Sequence, residues 1–309
     1  VPRANQQKVM DMRLFFWKKA GLAVLMLLAF NLSSPALTVV AWNLEWFPGR
    51  RPEPRAEAEA QQMAACREAL RKLNPDILIV EELRNWQVFE DLVSAVPGLR
   101  VHVVSAFRDA SSGTITRQQV GIASKLKAVA AWSEAWQPAF TNLPRGFSFA
   151  ALQDPASGEL IMVYGLHLKS NRVKHEQEEE LEDQLNENMR NASVEQLLTH
   201  TQDMERVFEG RTIRGWIAGG DLNTNHDGQF GDQVVSRLVE SGFWNSWSTV
   251  PKEERLTWHG NGFHEPTTFD YLFTRGLGSP VASTPKQSEE TSDHGPVVIH
   301  LESLAASQP

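Results

Sequence analysis

Residues able to bind a cation, carry a proton or contact a phosphate recur in this sequence at the ends of short apolar runs. Asn43 follows LTVVAW directly, Glu81 and Glu82 follow ILIV, and His167 follows IMVYGL. Asp221 follows WIAGG, with Asn223 two residues on; Asp270 opens DYLF, and Ser292, Asp293 and His294 precede GPVVIHL. An apolar, β-branched run of this length reads as a buried strand. A polar residue at its end therefore stands at the rim of a sheet. Carboxylates, amides and imidazoles gathered on one rim have the composition of a site for a hard divalent cation and phosphoryl transfer. Glu81 and Glu82 are neighbours on a strand, so their side chains should face opposite ways and only one of them should enter the site. The remaining histidines (His102, His175, His200, His226, His259, His264, His300) are expected in ordinary surface or core roles.

A rival reading concerns DLNTNHDGQFGD at 221–232, which places oxygen ligands at positions 1, 3, 5 and 7 in the manner of a calcium loop. Position 6 is His226 where the sharp turn needs Gly, and position 12 is Asp232 where a bidentate Glu belongs. The preceding segment is a strand rather than a helix, so this reading is the weaker one.

The elements that must position these residues alternate along the chain. Strands are expected over 37–42, 77–80, 101–104, 119–124, 128–132, 147–152, 160–166, 216–218, 269–273 and 297–301, and helices over 56–73, 86–96, 172–209 and 234–239. On the first helix Met63, Cys66, Leu70 and Leu73 share one face, and Asn74-Pro75 ends it. On the longest helix Val194, Leu197, Leu198, Thr201, Met204, Val207 and Phe208 keep a helical period; its acidic run 176–183 reads as a solvated face. Pro155-Ala-Ser-Gly158 is a hairpin turn. Many strands with hairpins and few helices predict two sheets packed face to face with helices outside.

The stretches VVAWNLEW, PDILIVEEL, VGIAS, YGLHLKS, GGDLNTN, TTFDYLF and TSDHGPV, taken in order, resemble the endonuclease/exonuclease/phosphatase superfamily of deoxyribonuclease-like metal-dependent phosphoesterases. They span 37–301, and GDLNTN with SDHGPV is the most specific pair. The resemblance implies an α/β fold: a four-layer α/β/β/α sandwich of two mostly antiparallel sheets flanked by helices. It implies metal-assisted phosphoester hydrolysis with Mg2+, or Mn2+ in its place. Glu82 stands at the family's metal-binding glutamate, Glu81 where a Gln is usual, and Asn43 and Asp293 complete the metal set. Asp221 resembles the water-activating aspartate. Asn223 shares its face and can donate to a phosphate oxygen; His167 and His294 would stabilise transition-state charge, with Asp270 holding His294 in orientation. Lys169 in HLKS is a substrate-phosphate contact by the same resemblance, and Arg117 and Arg145 are weaker ones. Trp258 and Phe263 lie in the loop that shapes the cleft in relatives.

The reaction class is fixed better than the substrate. A nuclease-like phosphodiesterase is the first reading. An exported phospholipid phosphoesterase of sphingomyelinase type, or an inositol or sugar phosphate phosphoesterase, is the alternative. A non-catalytic binding module on the same fold is a further one. Composition narrows these. The 309-residue chain carries a formal charge of −8, and its first 36 residues hold five bases (Arg3, Lys8, Arg13, Lys18, Lys19) against one acid, Asp11, so residues 37–309 are more acidic still. Bulk attraction to a polyanion is excluded, and any phosphate must be met by metal or a local basic cluster. The single cysteine, Cys66, rules out an intramolecular disulfide and a cysteine metal site.

Residues 1–36 read as an N-terminal extension with a secretory signal: bases at Arg13, Lys18 and Lys19, an apolar run over 20–30, then Ser33, Ser34 and Ala36. The run is roughly 11–13 residues, short of the about 20 that span a bilayer. Residues 37–309 form the catalytic domain. The expected location is periplasmic or secreted, with membrane contact only through an uncleaved N-terminal segment. The expected partner is a phosphoester substrate, nucleic acid first; a monomer is expected, with no protein partner evident.

Overall fold

The computed structural model describes residues 37–173 and 176–302; the export segment expected over 1–36 lies outside them. In chain order the elements are β1 (Leu37–Phe47), α1 (Ala56–Leu73), β2 (Ile77–Leu83), α2 (Trp86–Val93), β3 (Arg100–Val104), β4 (Gln119–Ser124), β5 (Lys127–Ala135), β6 (Gly146–Gln153), β7 (Leu160–His167), α3 (Glu179–Val207), β8 (Ile213–Asp221), α4 (Val234–Glu240), β9 (Trp244–Asn245), β10 (Asp270–Arg275) and β11 (Val297–Leu301). No described helix is long and apolar enough to cross a membrane.

The strands form two mixed, mostly antiparallel sheets, ordered β11-β1-β2-β4-β3 and β5-β6-β7-β8-β10-β9. Each has a single parallel pair, β1 with β2 and β7 with β8. Strand alternation assigns the two faces of the first sheet. Val39, Ala41, Ile77 and Ile79 pack toward the second sheet, in one core with Ile161, Val163 and Ile217. Val40, Trp42, Leu78 and Val80 point the other way, onto Cys66 and Leu70 of α1 and Val88 and Phe89 of α2. On the far side of the second sheet, Met189, Val194, Leu197 and Met204 of α3 and Val234 and Leu238 of α4 join its core. This is the expected helix–sheet–sheet–helix order.

Topology explains why the polar strand ends meet. β1 packs on β8, and β2 on both β7 and β8. Both parallel pairs therefore deliver their C-terminal ends, Asn43, Glu82, His167 and Asp221, to one edge. β10 runs antiparallel to β8 with Asp270 opposite Asp221. β11 runs antiparallel to β1 with Val297 opposite Ala41, which carries the preceding residues 292–294 to the same edge. Close approach of the sheets needs glycine: a Cβ on Gly165 would lie 2.8 Å from Val120 Cγ1 and 3.0 Å from Ile79 Cγ2.

Two sequence expectations change, and one strand was not expected. Of the helix expected over 172–209, residues 174–175 lie outside the described residues; the described helix runs over Glu179–Val207, after a short 3-10 turn at Glu176–Glu178. A run of acids has no apolar period with which to dock, so its first part adds nothing to the core. The second helix stops at Val93 rather than 96. The two-residue strand β9 was too short for any sequence pattern to show.

Candidate active site

The rim is built on broken strand geometry. After Asn43, β1 passes through Glu45 and Trp46 with φ of 48° and 52°, and β2 turns at Glu82 with φ 62°. The β1–β2 and β2–β4 registers both shift there. Such left-handed residues are costly for a side chain with a Cβ and persist where surrounding contacts fix them. Here the distortion turns the Trp46 N–H onto Glu82 Oε2 at 2.8 Å and the Glu45 N–H onto Asn43 Oδ1 at 2.9 Å.

Asn43 is the joint between the two sheets. Its Nδ2 donates to Asp221 Oδ2 at 3.0 Å and lies 3.3 Å from Glu82 Oε1. His167 Nε2 stands 3.6 Å from the same Asp221 oxygen and 3.8 Å from Glu82 Oε1. Glu82 and Asp221, 139 positions apart in the sequence, thus share two polar neighbours. The other Asp221 oxygen, Oδ1, accepts from the Asn223 backbone N–H at 2.8 Å. Burial, then the negative charge of Asp270, raises the Asp221 pKa to about 7. His167 is pushed the other way: burial, then Arg145 and His294, lower its pKa well below 6.5, so it is a neutral imidazole. Its Nδ1 is buried without a partner among the described residues.

Beside Asp221, His294 Nδ1 bonds Asp270 Oδ2 at 2.7 Å, and Thr257 Oγ1 donates to that oxygen at 2.6 Å. Although burial opposes it, the Asp270 charge and hydrogen bond lead the causes that raise the His294 pKa well above 6.5. His294 is an imidazolium at neutral pH. Trp42 Nε1 holds its carbonyl at 2.8 Å. Asp293, half-buried next to it, accepts from Trp258 Nε1 at 3.1 Å and donates its N–H to Glu45 Oε2 at 3.1 Å.

The sequence-derived residues divide by what the structure gives them. Asn43, Glu82, His167, Asp221, Asp270 and His294 are brought together. Asn223 is beside them, but one amide N–H is engaged with Leu168 O at 3.2 Å and its carbonyl takes Asn171 Nδ2 at 2.7 Å. Lys169 Nζ donates to Ser170 O at 2.7 Å. Trp258 reaches the site through Asp293, whereas Phe263 is 93% exposed. Arg145 does not point at a phosphate position: its guanidinium binds the His167 carbonyl at 2.8 Å, and the Leu168 carbonyl. Arg117 bonds the Pro52 carbonyl. The calcium-loop oxygens are engaged elsewhere. Asn225 Oδ1 takes the N–H groups of Asp227 and Gln229, Asp227 pairs with Arg255 at 2.7 Å, and Asp232 pairs with Arg190 at 2.7 Å.

The sequence placed Glu82 in the site and left Glu81 out of it. It is fully buried, with neither carboxyl oxygen partnered among the described residues. It lies beneath the site: a Cβ on Gly220, the residue before Asp221, would fall 2.6 Å from Glu81 Oε1. Burial, followed by the Asp270 and Asp221 charges, raises its pKa well above 4.5, so it is an uncharged acid. Glu45 and Thr257 were also missed; both act through contacts more than a hundred residues or a loop away, which local patterns do not show.

The carboxylate oxygens fit a hard cation, and Asn43 orients them, since its Nδ2 faces Glu82 and Asp221 while its Oδ1 takes the Glu45 N–H. Among the described residues, Asp221, Asp270 and His294 form one group whose ligand atoms lie within 4.8 Å of one another. Asp270 Oδ2 and His294 Nδ1 are engaged with each other at 2.7 Å, however, and Thr257 donates to the same Asp270 oxygen. Glu82, at the open end with Asn43 beside it, is the better anchor.

The Endonuclease/Exonuclease/phosphatase family model matches residues 40–294. No curated protein matches the chain. Among solved structures, an endonuclease/exonuclease/phosphatase from Bacteroides vulgatus is similar at 14% identity and TM-score 0.62, covering 87% of this chain and 100% of that one. The human Nocturnin catalytic domain with bound sulfate matches at 16% identity and TM-score 0.61, over 88% and 95%. The mannosyl-6-phosphatase of Bacteroides thetaiotaomicron matches at 16% identity and TM-score 0.56, over 86% and 99%. At these identities the likeness is one of fold.

Proposed function

We propose, from the premise that the chain belongs to the Endonuclease/Exonuclease/phosphatase family, that it is a divalent-metal-dependent phosphoester hydrolase, in the first place a nuclease-like phosphodiesterase. The observation that carries the reading is the Asn43 bridge, which sets a carboxylate at the open rim, Glu82, beside a buried one, Asp221. Glu82 and Asp293 would hold the cation, Mg2+ or Mn2+, with Asn43 orienting Glu82 beside it. Bound there it would offset phosphate charge and stabilise the leaving oxygen.

The chain's own residues divide the remaining work. Asp221, with its proton affinity raised toward neutrality, takes the proton of the attacking water. An Asn amide carries two N–H donors, so Asn223 keeps one for a phosphate oxygen while the other holds Leu168. His294 presents a proton on Nε2, since its Nδ1 is held by Asp270. His167 adds a neutral donor from the opposite sheet. Both imidazoles face the charge that develops on the phosphoryl oxygens.

The acidic net charge of −8 favours substrates that need few basic contacts. Short or single-stranded nucleic acid, a phospholipid head group of sphingomyelinase type, and an inositol or sugar phosphate all qualify. The N-terminal basic and apolar segment supports an exported protein, and nothing in the chemistry requires a protein partner. A non-catalytic module is disfavoured because Asp221, Asn223, Asp270, Asp293 and His294 are all retained. The test is a panel of plasmid and linear DNA, RNA, sphingomyelin, inositol phosphates and sugar phosphates, each with Mg2+, Mn2+ or Ca2+. Hydrolysis of a nucleic acid above all others supports the first reading. Hydrolysis confined to the lipid or the monoesters replaces it with the corresponding alternative.

A further inference from the structure

Arg190 is a fully buried guanidinium on α3, outside every motif that builds the site. Its Nε donates to Asp232 Oδ2 at 2.7 Å and its NH1 to the Lys169 carbonyl at 3.1 Å. Asp232 in turn accepts from Thr224 Oγ1 at 2.9 Å and from the Val234 N–H at 3.3 Å through Oδ1. One buried ion pair therefore grips both segments that carry catalytic groups: the chain after His167 and the chain after Asp221.

Those two segments are also tied to each other. The Leu168 N–H donates to Asp221 O at 2.9 Å, Asn223 Nδ2 to Leu168 O at 3.2 Å, and Asn171 Nδ2 to Asn223 O at 2.7 Å. Asn223 has φ 52°, a left-handed conformation that Asn tolerates better than most side chains. The 222–232 loop lies directly on the helix: the Gln233 N–H donates to Asn191 Oδ1 at 2.8 Å, and a Cβ on Gly231 would fall 2.5 Å from Glu187 Oε1. A pair this deeply buried is a poor source of net stability, since desolvation offsets its attraction. Its geometry nonetheless fixes two loops at once, through the planar fork that only arginine offers.

We propose that Arg190 and Asp232 are positioning residues for the reaction, a clamp that holds Asn223 and Asp221 in register with His167. This rests on the hydrolase reading above. The clamp acts on the proton-accepting and phosphate-binding side and leaves the Glu82 cation site alone. It should therefore govern kcat and not metal affinity.

The experiment compares wild type with the double variant R190M/D232N and the single variant R190K. The double variant leaves no charge at the pair, and an amide oxygen at position 232 remains an acceptor for Thr224; the thermal midpoint checks that it folds. R190K keeps the charge but not the fork. The readouts are kcat and KM on bis-p-nitrophenyl phosphate, the Mg2+ activation constant, the thermal midpoint, and backbone amide exchange over 168–171 and 222–225. The expected result for the double variant is faster exchange in those two segments. Its kcat should fall by about 10-fold or more, the scale that small misplacements reach, with KM, Mg2+ activation and midpoint near wild type. R190K should fall between the two. Unchanged exchange overturns the clamp, and faster exchange with unchanged kcat overturns its role in the reaction. An equal loss in kcat, Mg2+ activation and midpoint makes the pair merely structural and overturns it too. A wild type inactive on every substrate sinks the hydrolase reading and the positioning role with it, while the exchange data still report on the clamp itself.

Discussion

The Asp270 carboxylate and the His294 imidazole meet at 2.7 Å at the edge shared by the two sheets, and the Thr257 hydroxyl completes the same oxygen at 2.6 Å. The pair exists because β10 begins opposite the end of β8, while the turn before β11 returns across β1. Two chain segments that share no local signal thus supply an oriented, proton-bearing group beside Asp221.

Replacing that carboxylate should move the pH dependence in a definite direction. Asp270 raises the His294 pKa above 6.5, so the imidazolium needed for catalysis is kept through neutral pH and lost as pH rises through the raised value. By linkage, its stabilising contribution is full below about 6.5 and fades over the same rise. Asp270→Asn should shift the alkaline limb of the kcat–pH profile to lower pH and lower kcat at pH 8 more than at pH 6. A profile measured from pH 5 to 9 checks this, and an unmoved alkaline limb contradicts it.

Glu82 and Glu81 should part company on substitution. Glu82→Gln removes a cation-holding charge and should weaken Mg2+ activation by about 10-fold or more, a loss comparable with disturbing other metal-site groups. Glu81→Gln replaces an acid already uncharged and should leave the Mg2+ titration unchanged. Metal titrations of kcat for the two variants decide the assignment.

Glu81 also makes a stability prediction. Its folded-state pKa lies above 4.5, so the fold holds a proton that the unfolded chain gives up. Its contribution is most favourable below about 4.5 and is lost as pH rises toward the folded value. Glu81→Gln should therefore stabilise the protein at pH 8 relative to wild type and lose that advantage at pH 4. Denaturant unfolding at the two pH values is the measurement.

Gly220 has φ 129°, and a Cβ there would lie 2.0 Å from the Leu166 carbonyl oxygen as well as against Glu81. Gly220→Ala should cost at least about 1–3 kcal/mol from backbone strain alone and displace Asp221. Thermal unfolding and kcat should fall together. A variant with wild-type stability would mean that β8 can shift without cost.

The strand ends were legible because a buried run must stop where the sheet meets solvent, and a polar residue placed there is noticeable in one dimension. LTVVAW before Asn43 and IMVYGL before His167 are such cases. Two packed sheets followed from the number of strands and hairpins, but a run as uniformly apolar as LTVVAW did not tell its two faces apart; the structure puts Val39 and Ala41 on one and Val40 and Trp42 on the other. Glu81 was not legible in depth: pairwise alternation showed that it and Glu82 diverge, but not that the distorted turn at Glu82 leaves Glu81 sealed between sheets. Arg190 was hidden by the usual expectation that a charged residue on a helix faces water. Its partners, Asp232 and Lys169, are brought to it by tertiary packing alone.

Hydrolysis of bis-p-nitrophenyl phosphate by wild type and Asp221→Ala, with Mg2+ and then with excess chelator, tests the central claim most directly. Wild-type turnover should require the cation and return when it is restored, and Asp221→Ala should lower kcat by about 10²-fold or more, the scale of a lost general base. Turnover that survives chelation, or an Asp221→Ala protein as fast as wild type, would contradict it.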